Sequence, residues 1–180
     1  MLQGETMNKK MITYLTMMLM FGMAVLVILI QNATDPERVN AVAHGIADFD
    51  LPPGYQTDYV LDVGNYTFAA YKSSDEQSHL SFVEVPDGVI PDEDVIEGHV
   101  FGGWSRHSRP HATVLSVEDY TVRDQPATLT ISERVNGEGR LYHSAYLVFE
   151  GHDGTAVLVI NQPATAWNRD AVDRFIASIQ

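Results

Sequence analysis

The sequence predicts an α+β fold behind a membrane anchor: a single N-terminal transmembrane helix, then a mainly antiparallel β-sheet of about seven strands with an N-terminal and a C-terminal helix packed on it. Three observations carry this reading. Residues 11–30 hold no charged side chain. From Tyr55 onward, short apolar stretches are separated by turn residues at roughly regular spacing, the mark of antiparallel sheet. Apolar repeats of helical period bracket this β-rich centre on both sides.

The run from Met11 to Ile30 has Thr13, Tyr14 and Thr16 as its only polar side chains, all near one end. Twenty residues of helix at about 1.5 Å each reach roughly 30 Å, the thickness of a bilayer core. A core helix of a small domain would carry a polar stripe, and this run is apolar all round. It also exceeds the apolar segment of a secretory signal, and Gln31–Asp35 offers no pair of small residues at cleavage distance. A retained anchor is therefore expected. Lys9 and Lys10 precede the run, whereas Asp35, Glu37 and one basic residue, Arg38, follow it, which places the N-terminus in the cytoplasm and the domain outside. The expected organisation is a cytoplasmic N-terminus over residues 1–10, the span over 11–30, a linker over 31–35 and an extracytoplasmic domain over 36–180.

With Glu5, Lys9 and Lys10 set aside, nine basic and 23 acidic residues remain beyond the span, a net charge of −14. Such a surface repels phosphates, so nucleic-acid binding and docking of the domain on anionic lipid are disfavoured. There is no cysteine, which excludes disulfides, thiolate metal sites and cysteine nucleophiles. The fold must rest on its apolar core.

Thr34-Asp35-Pro36-Glu37 reads as a helix start, with a capping oxygen, proline in the first turn and an acid near the positive end of the dipole. Val39, Val42, Ala43 and Ile46 share one stripe of that helix, which must end before Pro52 and Pro53. Strands are expected over 55–63 and 66–72 around the Gly64-Asn65 turn, then over 79–85, 112–122, 127–135, 141–149 and 156–160. The unbroken Ala156–Ile160 run predicts a central strand buried on both faces. Residues 89–109 are irregular and acidic, a short helix or a long loop over one face. A second helix over about 168–179 carries Val172, Phe175, Ile176 and Ile179 on one stripe, with Trp167 packing just before it.

Phe49-Asp-Leu-Pro-Pro-Gly-Tyr55, the strand Gln125–Glu133, and Trp167 followed by Val172–Ile179 resemble bacterial membrane-anchored proteins of unknown function. The order of elements is similar to the PsbP-like α/β sandwich. That resemblance covers roughly residues 36–180 and implies a single-pass protein of the bacterial inner membrane, its domain periplasmic or extracellular. It rests on packing and turn residues and implies no catalytic residue and no cofactor.

The seven histidines are the residues most able to carry chemistry at neutral pH. His99, His107 and His111 fall close together beside Trp104, Arg106 and Arg109, with Glu93, Asp94 and Glu97 nearby. They are candidate metal ligands, although their spacing matches no metal signature. Trp104, Arg106 and Arg109 are candidate contact residues of the same loop. His79, His143 and His152 read as surface or half-buried residues, and the acids 92–97 as a solvated loop. Gly103-Trp-Ser-Arg-His107 lacks the second glycine of a hydrolase nucleophile elbow. The expected function is a non-catalytic module that binds a membrane or periplasmic protein, or a ligand; the alternative is a metal-binding protein or metal-dependent enzyme using the His99, His107 and His111 loop.

Overall fold

The structure, a computed structural model, describes residues 9–86, 112–136 and 138–180, together with Val89, Pro91 and Ile96, and of residues 9–13 the backbone only. It has the predicted α+β architecture. The elements in chain order are α1 (Lys9–Ala33), α2 (Pro36–Ile46), β1 (Tyr55–Val63), β2 (Tyr66–Ser73), β3 (His79–Val85), β4 (Thr113–Val122), β5 (Gln125–Val135), β6 (Leu141–Glu150), β7 (Thr155–Pro163) and α3 (Arg169–Ala177). The strands form one antiparallel sheet in the order β1-β2-β3-β7-β6-β5-β4.

Helix α1 is long and apolar enough to cross a membrane from Tyr14 to Ala33, and none of that stretch is buried against the rest of the chain. It runs past Ile30 to Ala33, and its last turn is closed by Thr34, whose N–H and hydroxyl both donate to Ile30 O at 3.0 Å. Asp35 already caps α2, its carboxylate accepting from Glu37 N at 2.9 Å. The five-residue linker expected over 31–35 is thus only Thr34 and Asp35, because Gln31, Asn32 and Ala33 continue the helix.

Alternation places the two faces of the sheet. The first face gathers Val60, Tyr71, Leu80, Phe82, Leu129, Ile131, Leu147, Phe149, Leu158 and Ile160 under Val39, Ala43 and Ile46 of α2 and Val172, Phe175 and Ile176 of α3. The second face buries Phe68, Val83, Val85, Tyr146, Val157 and Val159. β7 lies at the middle of the seven strands and buries Ala156 through Asn161 without a break, as its unbroken apolar run predicts.

Phe49, between α2 and β1, joins the layers. Its ring stacks on Phe82 at 4.3 Å and on His44 at 4.8 Å, and meets Tyr71 and Phe175 edge-on at 5.9 and 6.0 Å. The chain end is tied to the same segment by two backbone bonds between Asp48 and Gln180, 3.2 and 2.8 Å. Gly151 closes the β6–β7 turn against α2, since a Cβ there would lie 3.0 Å from Ile46 O.

β3 and β4 run in the same direction at non-adjacent positions. Between them in the chain, Val89 and Ile96 pack on the second face, Ile96 fully buried. Apart from Val89, Pro91 and Ile96, the irregular stretch expected over 89–109 lies outside the described residues. β5 starts at Gln125, earlier than its pattern suggested, with Pro126 opposite Thr121, and β7 extends to Pro163.

Candidate functional site

The two edges of the sheet differ. At β1 a bulge between Thr57 and Tyr59 accommodates Asp58, half-buried and 3.4 Å from Lys72 Nζ, and α2 lies alongside the strand. An inward charge and a covering helix are two of the ways an edge is blunted against pairing. β4, at the other edge, has apolar side chains in the open: Val114, Leu115 and Val117 are 57%, 50% and 63% exposed. Leu115 is the bulged residue, while Val114 and Val117 stand on the second face opposite Ser132 and Thr130 of β5. From Ser116 to Val122 the pairing with β5 is regular.

The first face of β4 is held by α3. Arg169 donates to both carboxylate oxygens of Glu118, at 3.0 and 2.7 Å, to Asp173 Oδ1 at 2.7 Å and to Tyr120 Oη at 3.0 Å. Tyr120 in turn donates to Asp173, and Ser116 to Glu118 at 2.7 Å. The paired guanidinium, aided by Ser116, holds the Glu118 carboxyl down at about 2. Burial is the main reason that the Tyr120 hydroxyl is pushed up, and its bond to Asp173 adds to that. A planar guanidinium gripping a carboxylate at two points fixes direction as well as distance. Among the described residues, strand β4 is therefore clamped on one face while its other face and its outer edge stay open.

A second polar cluster lies on the helix-bearing face across β5, β6 and β7. Glu133, His143 and Gln162 are cross-strand neighbours. Glu133 Oε2 is 3.2 Å from His143 Nε2, Gln162 Nε2 donates to Tyr55 Oη at 2.9 Å, and the Trp167 ring meets His143 edge-on at 5.4 Å. Burial is the main cause of the raised Tyr55 hydroxyl. His143 Nδ1 and Gln162 Oε1 are buried without a hydrogen-bond partner among the described residues. This is one histidine and one carboxylate in a row of packing residues.

The candidates taken from the sequence, His99, His107 and His111 as ligands and Trp104, Arg106 and Arg109 as contacts, lie outside the described residues, as do Glu93, Asp94 and Glu97. Among the described residues no group of three or more histidine, aspartate or glutamate side chains converges as a metal site. The remaining histidines are dispersed. His79 is half-buried in β3, where burial lowers its pKa, and His152 is an exposed turn residue. Trp167 packs on the core as expected, with the contact to His143 added.

Sequence reasoning missed the Arg169 clamp and the open β4 edge. The clamp had a signal: Arg169 and Asp173 are spaced i,i+4 on the closing helix, and Glu118 and Tyr120 share one strand face. The edge had a weaker one, since adjacent Val114 and Leu115 break the alternation. Comparison with family models and with curated proteins finds no match for this chain.

Proposed function

We propose that this protein is a single-pass, membrane-anchored binding module without catalytic activity, whose domain takes up a membrane or periplasmic protein at the β4 edge of its sheet. In this reading the anchor is α1, the N-terminus is cytoplasmic, and the domain stands on the outer side of a bacterial inner membrane. The charge order across the span supports that orientation, because Lys9 and Lys10 precede it and acids predominate after it. The observation that carries the binding role is the exposed Val114, Leu115 and Val117 group on a strand otherwise fixed by Arg169. Apolar side chains gathered at a sheet edge that nothing covers among the described residues are the surface a protein partner would use.

A photo-crosslinking amino acid at position 117, in the full chain in native membranes, tests this. A protein adduct is expected from 117 and not from position 56 on the β1 edge, and it should vanish when Val114→Lys is added. No protein adduct from 117, or an equal yield from 56, would overturn the reading.

A further inference from the structure

Resting on that reading, we infer that the β4 edge binds an extended, basic and apolar segment of its partner, which adds to the sheet as an eighth strand. β4 is the last strand of the sheet, so its outer backbone row has no ladder partner among the described residues. Backbone N–H and C=O groups in that position are satisfied in a specific complex by another strand, and side chains at alternate positions then set the specificity.

Those alternate positions state what the incoming strand should carry. On the second face the order along β4 is Val114, then Val117 after the bulge, then Asp119. The first two ask for apolar neighbours, and the exposed Asp119 asks for a cation. Glu118, on the opposite face, is already neutralised by Arg169. Asp124 continues the acidic side at the turn. The wider field has the same sign, with a net charge of −14 beyond the span. A second copy of this chain would therefore bring like charge to the same edge, whereas a basic strand is drawn to it. The bulge at Leu115 limits regular pairing to the stretch from Ser116 onward, so a short segment is enough to fill it.

The experiment uses the full chain in detergent and four labelled nine-residue peptides: a valine and lysine peptide whose alternate positions on one face read valine, valine, lysine; the same peptide with glutamate for lysine; the lysine peptide with alternate backbone amides methylated; and the lysine peptide with serine for valine, of equal charge. At roughly physiological ionic strength, where exposed charges are screened beyond about 8 Å, the valine and lysine peptide should bind at least tenfold tighter than each of the others. Val117→Lys should remove that advantage, with near-ultraviolet circular dichroism confirming the fold. Equal binding of the methylated peptide would overturn strand addition, and equal binding of the serine peptide would reduce the effect to general attraction by an acidic domain. A preference for the glutamate peptide would overturn the charge inference while leaving docking at β4 in place. If no peptide binds while the crosslink from position 117 persists, the edge serves a folded partner and strand addition fails alone. If both are absent, the proposed function fails with it.

Discussion

Phe49→Ala should be among the most damaging single changes in the domain, although the residue belongs to no helix or strand. Its ring is 8% exposed and touches the rings of His44, Tyr71, Phe82 and Phe175, so it binds α2, two strands and α3 at one point. An aromatic side chain of this kind buries roughly 150–250 Å², which at about 25 cal/mol per Å² amounts to about 4–6 kcal/mol. Alanine keeps a small part of that, and Phe→Ala changes in packed cores cost about 3–5 kcal/mol. We take about 4 kcal/mol. For a domain of this size each kcal/mol lowers Tm by about 2–4 °C, so the expected fall is about 8–16 °C. The assay is a thermal melt of the full chain in detergent followed by near-ultraviolet circular dichroism, which reports the aromatic core and is blind to α1 helicity. Phe49→Leu should recover more than half of the loss. In a double-mutant cycle with Phe82→Leu the stacked pair should show a coupling of about 0.5–1.5 kcal/mol. A drop in Tm under about 3 °C for Phe49→Ala would refute the assignment of this residue as the junction of the layers.

Glu118→Gln should flatten the acid limb of stability. The folded-state carboxyl is lowered from 4.5 to about 2, chiefly by its bonds to Arg169, so its contribution is fully present above pH 4.5 and is lost as pH falls toward 2. Melts between pH 6 and pH 2.5 check this, and parallel loss in the wild type and the variant would count against it. Asp124→Gly should stabilise by about 0.5–1 kcal/mol, because Asp124 sits at φ 61° in the β4–β5 turn, a conformation that glycine adopts without strain; a chemical denaturation midpoint that falls instead would show the strain to be absent. Gly151→Ala should cost about 1–3 kcal/mol by pressing a methyl against Ile46 O and Ala156 Cβ, both 3.0 Å away, and an unchanged midpoint would mean that the turn relaxes freely. Deleting residues 1–33 should move the chain from the membrane pellet to the soluble fraction, and retention in the pellet would contradict α1 as the anchor.

Most of the fold was legible because its signals are local. The α2 start could be read from Asp35, Pro36 and Glu37, and the structure uses the first as cap and the second as opening residue. The Gly64-Asn65 pair marks a two-residue hairpin, and Gly64 takes φ +60° there. The β4–β5 turn was harder to see, since Arg123 adopts positive φ where Gly, Asn or Asp is the usual choice, and Asp124 alone is a weak turn signal. Strand order was legible only in part. The apolar run Ala156–Ile160 marked β7 as central, but nothing local names β3 and β6 as its neighbours. The candidate site fared worse for a related reason. Histidine proximity in sequence drew attention to His99, His107 and His111, which lie outside the described residues. The open edge depends instead on which strand happens to be last, a property of the assembled sheet.

The two edges set the direction in which a partner should be sought. Both α1 and α2 lie against β1, so that edge belongs to the anchored side of the domain. β4 is six strand spacings away, roughly 29 Å at about 4.8 Å per spacing. The apolar group is thus set at the edge farthest from the anchor's attachment, where a partner strand can approach without passing α2. A sheet that only had to stay soluble would blunt both edges, and here the blunting is concentrated at β1, with its half-buried Asp58 and Lys72 pair. At β4 the bulge protects only the first residues, and Arg169 spends its bonds on fixing the strand from behind. A preformed strand loses less conformational freedom on pairing than a mobile one. The clamp and the exposed valines therefore act together: the first lowers the ordering cost of strand addition, and the second supplies the apolar contact that selects for it.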